Sequence, residues 1–323
     1  MTRRTVLRFI AALLCCTAAA AQKNVLTIAT WNIQTFGQTK AESNRLYPIA
    51  ALLAAFDVTI VQEIRSKDWY GLIAQTAVQV MNAESGESGR RWKFAVSEPL
   101  GRSSSRENYL YIYDSSRVEL FNSAGDCIGI DPESFTDIDG DGFIGKDEIR
   151  FHAETFPDTG DWFEREPAAV LMRCVDGGFD AVLVNTHVKP ADAEAEIFLL
   201  DDAARYFSAL FGERDVLIAG DFNADGSYFD EAKLAEAFCA LEFFCIVPDS
   251  QDTTVAASSR TYDRIVCTVS MQEDCAGSAE VFSIAPYIRA AQAAYGYDDV
   301  FTEKNISDHY PVCSYWYTDR DTD

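Results

Sequence analysis

The sequence predicts an α/β layered fold, and three observations carry that prediction. Runs of β-branched and apolar residues, strand-like in length, recur at 25–31, 57–62, 92–96, 109–113, 168–175, 180–186, 215–220, 262–269 and 310–317. Helical patterns separate them at 45–56, 69–81, 191–211 and 229–238. Several strand runs lack polar alternation, as strands covered on both faces do. Mixed elements of this kind pack as helices against sheets. The stretch 45–56 is apolar and Ala-rich, and 69–81 carries apolar residues at roughly helical spacing. In 191–211, Ile197, Leu200, Ala204, Phe207 and Phe211 share one face, and Gly212 is a C-terminal stop. RIVCTVS (264–270) alternates as a one-sided antiparallel strand does. No Pro/Gly/Ser linker or repeat divides the chain, so residues 22–323 are expected to form a single domain.

The first 21 residues read as an export signal: Arg3, Arg4 and Arg8, a short apolar core from Ile10 to Cys16, and Ala19-Ala20-Ala21 as a cleavage site. The apolar stretch is too short for a membrane span, so no stable membrane association is expected. TRRTVLR (2–8) leaves both general secretion and the twin-arginine route open, and either predicts a secreted or periplasmic protein. The formal charge is −24, near −27 once the signal is gone. Such a charge repels nucleic acid at long range, so binding a polyanion needs local Arg and Lys or bridging cations. Seven cysteines remain: Cys127, Cys174, Cys239, Cys245, Cys267, Cys275 and Cys313. In an oxidising compartment, Cys239–Cys245 and Cys267–Cys275 are close enough in sequence for local disulfides.

Chemistry concentrates at strand ends. TIATWNI (27–33), TIVQEI (59–64), AVLVNTH (181–187), VLIAGDFNADGSY (216–228) and SDHYPV (307–312) each attach polar groups to an apolar run. They offer Asn32, Glu63, His187, Asp221 with Asn223, and Asp308 with His309. Asp221 and Asn223, two apart, would point the same way from an extended segment. Oxygen donors without a sulfur or His cluster suit Mg²⁺, Mn²⁺ or Ca²⁺, not zinc. A His poised by a carboxylate is the common acid–base group near neutral pH. Of the three histidines, His152 has no strand-end context and is expected at the surface.

The order of TIATWNIQTFG, IVQEIRS, AVSEPLGR (95–102), REPA (165–168), AEI (195–197), GDFNADGSY, PDSQDTT (248–254), TYDRIV (261–266), QAAYG (292–296) and SDHYPV resembles the secreted deoxyribonuclease I family. That family lies within the endonuclease/exonuclease/phosphatase superfamily, and the resemblance runs from about 26 to 315 around one insertion. It implies a four-layer α/β sandwich: two packed mixed β-sheets flanked by helices. It implies a metal-dependent endonuclease that cuts DNA with little sequence preference, as a monomer, leaving 5′-phosphate and 3′-hydroxyl ends. By resemblance, His187 and His309 are the acid–base pair, Glu107 orients His187 and Asp263 orients His309. Asn32 and Glu63 hold a Mg²⁺ or Mn²⁺; Asp221, Asn223 and Asp308 hold the phosphate or a second cation; Arg65 and Arg165 contact the DNA backbone. Structural Ca²⁺ is expected at Asp252 with Thr254, and at Asp161 with the Phe163 carbonyl and Glu166. The chain departs from the family at Ser105, where an aromatic side chain stacks in the minor groove, and at Gly226 and Arg260, where two cysteines pair.

The insertion, at about 128–160, carries DIDGDGFIGKDE (137–148), which fits the EF-hand calcium loop at every position. Asp137, Asp139 and Asp141 supply side-chain ligands, Phe143 a carbonyl and Glu148 a bidentate carboxylate; Gly142 permits the turn. A single loop suits a structural Ca²⁺ clip rather than a paired sensor. Two other functions compete with the nuclease: a phosphodiesterase of the same superfamily with a non-DNA substrate, and a calcium-stabilised binding module without catalysis. The first calls for an apolar lipid-facing loop and the second for damage to the catalytic set; the sequence shows neither.

Overall fold

The computed structural model describes residues 24–66, 68–86, 88–104, 106–239 and 242–321. The export signal and Ser105 lie outside the described residues. Sheet one runs in the order β12 (Glu280–Val281), β13 (Val312–Tyr317), β1 (Val25–Phe36), β2 (Val58–Ile64), β4 (Asn108–Asp114), β3 (Trp92–Val96). Sheet two runs β10 (Phe243–Cys245), β11 (Asp263–Thr268), β9 (Val216–Asp221), β8 (Asp180–His187), β7 (Ala168–Cys174), β5 (Val118–Phe121), with β6 (Glu154–Thr155) paired to β7. Each sheet has one parallel pair at its centre, β1–β2 and β8–β9, inside antiparallel neighbours. The expected antiparallel strand at 264–270 is β11.

Helices α1 (Gln38–Ala41), α2 (Leu46–Leu53), α3 (Tyr70–Ser85), α7 (Ala285–Tyr295) and α8 (Glu303–Ile306) cover sheet one. Helices α4 (Ala193–Ile197), α5 (Leu200–Phe211) and α6 (Leu234–Ala237) cover sheet two. The four layers follow from strand alternation. In β1, Val25, Ala29, Trp31 and Ile33 pack toward the helices, while Leu26 and Ile28 enter the core between the sheets. In β9, Val216 and Ile218 face the helices and Leu217 and Ala219 the other sheet.

The structure departs from the expected elements in several places. The single helix at 191–211 is two, broken at Phe198–Leu199. The break follows Glu196, whose carboxylate is turned inward onto the backbone N–H groups of Glu164 and Lys189 at 2.9 and 3.1 Å. Phe207 and Leu200 are buried as expected, and Gly212 ends α5 at φ +70. The 229–238 stretch is a 3-10 turn running into the short α6. Helix α7 has no counterpart among the expected helices. Neither expected disulfide forms: all seven cysteines are free thiols, with Cys267 buried between the sheets and Cys239 and Cys245 exposed. His152 is not a surface residue. It is half-buried, with Nε2 3.3 Å from the Tyr70 hydroxyl and Nδ1 4.0 Å from Glu98.

The insertion is built into the fold. Ile130 exchanges two backbone hydrogen bonds with Phe94 of β3 (3.1 and 2.7 Å), and Ile144 is buried against α3. Gln75 of α3 bonds the Gly142 carbonyl and the Ile144 N–H at 3.2 and 2.9 Å. The loop sits so close that a Cβ at Gly71 would lie 2.3 Å from the Ile144 carbonyl oxygen, which requires glycine there.

Candidate active site

The site lies at one end of both sheets. Asn32, Glu63, His187 and Asp221 end or approach the C-terminal ends of the central parallel strands β1, β2, β8 and β9. Asp263 opens β11, which runs antiparallel to β9, while Glu107 and His309 precede β4 and β13. Antiparallel neighbours bring their starts to the same edge where the parallel strands end. Alternation then decides direction: Leu183, Asn185 and His187, and likewise Leu217, Ala219 and Asp221, have the parity of the inter-sheet face. Glu63 breaks this pattern. The β2 register shifts between Val61 and Ile64, and Glu63 takes φ +64. That bulge re-aims its carboxylate. Gln34, Thr35 and Asn223 also have positive φ, so four of the five such non-glycine residues among those described surround the site. Strain of this kind persists where the surroundings over-determine it. Gly220, at φ +156, admits the neighbouring strand: a Cβ there would lie 1.8 Å from the Thr186 carbonyl oxygen.

The two histidines are arranged almost symmetrically about Asp221. His187 Nδ1 is 2.8 Å from Glu107 Oε1, and His309 Nδ1 is 2.8 Å from Asp263 Oδ2. Their Nε2 atoms lie 3.6 and 3.5 Å from Asp221 Oδ2. All five side chains are buried. Burial pulls both imidazoles toward the neutral form, but facing carboxylates outweigh it. Glu107 raises His187 above its ordinary value, and Asp263 with Asp221 pushes His309 up to about 10. Burial pushes Glu107 and Asp221 up, yet the histidines hold both below the carboxylate range, with Arg165 and Arg65 adding to the effect on Glu107.

The Asn32 amide bridges Glu63 Oε1 and Asp221 Oδ2 at 3.2 and 3.0 Å. Asp221, Asp263 and His309 bring ligand atoms within 4.8 Å of one another. This set of hard oxygen donors with imidazole and no thiolate fits a divalent cation that favours oxygen. Arg65 reaches Glu63 and Glu107 at 3.5 and 3.7 Å. Arg165 Nε donates to the His187 carbonyl at 3.0 Å and lies 3.7 Å from Glu107. Asp308 is half-exposed beside His309, and its charge acts on His309 and Lys40.

One expectation fails here. Asp221 and Asn223 do not point alike, because β9 ends at Asp221 and Asn223 turns at φ +49. Its amide donates to the Val188 carbonyl at 2.9 Å, so Asn223 braces the His187 loop. Around the outer calcium positions, Asp252 Oδ1 accepts from Thr254 N and Oγ1 at 3.1 and 3.2 Å. Asp161, at φ +52, and Phe163 share a loop in which the Phe163 N–H donates 2.8 Å to Asp158, a carboxylate the sequence reading passes over. In the inserted loop Asp137, Asp139 and Asp141 cluster, and Glu148 accepts from the Ile138 and Gly145 N–H groups, both at 2.7 Å.

Several residues to which the sequence assigns no role of their own support the site. The Tyr109 hydroxyl accepts the His187 N–H at 2.8 Å. Thr30, Gln62 and Asn185 form a polar chain between the sheets beneath the site, with Gln62 Nε2 donating 2.7 Å to Asn185 Oδ1. Lys40 Nζ donates to the carbonyls of Ile33, Gln34 and Ile306, and Ser307 Oγ donates to the Asn32 carbonyl. Trp31 Nε1 holds the His309 carbonyl at 2.9 Å.

Residues 29–309 match the Endonuclease/Exonuclease/phosphatase family. Deoxyribonuclease-1 of Homo sapiens is 32% identical over 293 residues, covering 89% of this chain and 90% of the relative. Deoxyribonuclease-1 of Oryctolagus cuniculus is 31% identical over 294 residues, covering 89% and 91%. An endonuclease/exonuclease/phosphatase family protein from Bacteroides thetaiotaomicron superposes with a TM-score of 0.52 at 15% identity, covering 93% of this chain and 100% of that one, a likeness of fold. Two mixed sheets with flanking helices, two His–carboxylate pairs that each bridge the sheets and this extent of similarity agree: the chain belongs to the endonuclease/exonuclease/phosphatase family of hydrolases.

Proposed function

We propose that this chain is a divalent-metal-dependent endonuclease that hydrolyses DNA phosphodiester bonds with low sequence preference. The observation that carries the reading is the facing pair His187 and His309, each backed by a buried carboxylate and separated by Asp221. One Nε2 takes a proton from the attacking water while the other gives a proton to the leaving 3′ oxygen. A P–O bond forms to the water oxygen, the P–O3′ bond breaks, and a 5′-phosphate and 3′-hydroxyl result. Each Nδ1 is held by its carboxylate, which fixes the ring and stabilises its charged form. Asn32, Glu63 and Asp221 would hold Mg²⁺ or Mn²⁺, which supplies charge neutralisation for the phosphoryl oxygens. Arg65 and Arg165 place positive charge at the site of a strongly acidic chain, which favours a polyanion such as DNA over a small phosphodiester.

The inserted loop is read as a structural Ca²⁺ clip: its 12-residue pattern is complete, and its hydrogen bonds to Gln75 would tie an occupied loop to α3. Asp252 with Thr254, and Asp161 with Phe163 and Glu166, are read as further Ca²⁺ positions, by family resemblance. Asp308 is read as a phosphate- or cation-orienting group. Residues 22–323 are read as a single, monomeric, exported domain; among the described residues no helix is long and apolar enough to cross a membrane.

The test is nicking of supercoiled plasmid with Mg²⁺ and Ca²⁺, beside His187→Ala and His309→Ala. Metal-dependent nicking, reduced by about 10² or more in either variant, is expected. Undiminished nicking by both variants would sink the mechanism, and no nicking by the folded wild type would sink the DNA reading.

A further inference from the structure

A groove of about 520 Å³ opens beside the catalytic centre. Lys40, Arg45, Arg65 and Lys304 line it, with Thr35 and Gln38 between them, and its lining includes no carboxylate. In a chain of net charge −24 that is a marked reversal of sign. Lys40 is spoken for by three backbone carbonyls. The others have donors to spare. The Nε atoms of Arg45 and Arg65 are buried and without hydrogen-bond partners among the described residues. Lys304 is exposed and has no ion pair among the described residues. Burial lowers Lys40 to about 8, with the neighbouring Arg45 charge adding to the effect and Glu63 and Asp308 opposing it.

The groove joins the site directly. Thr35 donates from N to Glu63 Oε2 at 2.7 Å, and Arg65 lies 3.5 Å from the same oxygen. A nucleic-acid strand with its scissile phosphate between the histidines must carry further phosphates at regular intervals along its backbone. We propose that this groove is a second phosphate subsite, in which Arg45 and Lys304 bind a backbone phosphate flanking the scissile one. Neither residue falls in any of the sequence motifs described above. The subsite rests on the endonuclease reading for the identity of its ligand. Its role is to position the strand, since backbone contacts fix register without reading sequence.

The experiment measures duplex oligonucleotide binding by fluorescence anisotropy across a salt series, in the His187→Ala background so that cleavage does not intervene. Adding Lys304→Ala should raise Kd several-fold and reduce the slope of log K against log salt by about 0.9, the value for one lost phosphate contact. Arg45→Gln should lower it further. Arg205→Ala, on α5 and paired with Asp201 and Glu242, controls for net charge and should leave the slope alone. Unchanged Kd and slope in Lys304→Ala overturns the subsite, as does an equal effect from Arg205→Ala. Inorganic phosphate as competitor at constant ionic strength should leave the Lys304 effect in place. If it erases the difference between variant and parent, the groove is a free-phosphate site and the backbone assignment fails. Plasmid nicking by the unmodified chain is scored separately, so loss of the nuclease reading and loss of the subsite have different signatures.

Discussion

Replacing Glu107 by Gln removes the charge facing His187 and nearly keeps the side chain's shape. Glu107 Oε1 lies 2.8 Å from His187 Nδ1, and both residues are buried. With charge centres about 4 Å apart and an effective dielectric of about 20, the lost attraction is about 4 kcal/mol. If the imidazolium forms during the reaction, that is roughly three powers of ten in rate. The assay is first-order conversion of supercoiled plasmid to open circle, with enzyme in excess, Mg²⁺ and Ca²⁺. A folded variant within about threefold of the wild-type rate would refute Glu107 as the partner that matters. Stability supplies a second reading. Glu107 sits below its ordinary 4.5 because His187 outweighs the effect of burial, and His187 sits above its ordinary 6.5 because Glu107 does the same. The carboxylate's contribution is present above 4.5 and lost as pH falls through its folded value. The imidazole's is present below 6.5 and lost as pH rises through its folded value. The stability gap between wild type and Glu107→Gln should therefore be widest between about pH 4.5 and 6.5 and narrow on either side. A gap independent of pH would contradict the pairing.

Three further outcomes are expected. Glu148→Gln should remove the inserted loop's share of the calcium-dependent rise in Tm, about 2.7 kcal/mol at about 100 times that site's Kd; an unchanged calcium shift would rule out the inserted loop as a source. Gly71→Ala pushes a Cβ to 2.3 Å from the Ile144 carbonyl oxygen and should cost about 1–3 kcal/mol in denaturant melts; a neutral result would mean the loop can lift off α3. Glu196 is raised to about 7, chiefly by burial, so its stabilising contribution is full below its ordinary 4.5 and is lost as pH rises through 7. Glu196→Gln should consequently gain on the wild type between pH 5 and 8, by up to about 3 kcal/mol, whatever its offset from the lost backbone hydrogen bonds; parallel stability curves would contradict this.

Strand parity explains why much of the site can be read from the chain. An apolar run ending on a polar residue of inner-face parity is visible in Ile28–Thr30–Asn32, Leu183–Asn185–His187 and Leu217–Ala219–Asp221, and all three residues stand where that pattern puts them. Glu63 is found by its position after the β2 run, but its direction is not legible, because it depends on a bulge. Asn223 is misread for a related reason: extended-chain periodicity ends at Asp221. Glu107 and Asp263 come from family resemblance alone. Their partners are 80 and 46 residues away, and no local period records such a distance. Helix α7 goes unseen, although Tyr287, Ile288, Ala291 and Ala294 bury one face of it.

The least legible parts are those that hold backbone rather than side chains. Lys40 looks like a surface lysine, yet it gathers carbonyls from Ile33 and Ile306, 266 residues apart from the latter. The Gly226–Arg260 departure shows what such contacts must do. Where the family has paired cysteines, the Arg260 side chain lies over Gly226, with Nε 3.0 Å from the place a Cβ would occupy and a nitrogen 3.7 Å from Asp225. An ion pair with an exposed partner contributes about 0–1 kcal/mol, against about 2–4 for a disulfide. The stronger tie is the buried Asp225, which accepts the Thr261 N–H at 2.8 Å. Asp263 follows two residues later and orients His309. Backbone capture by one aspartate thus stands in for a covalent bridge in setting the entry to β11, and through it the His309 half of the site.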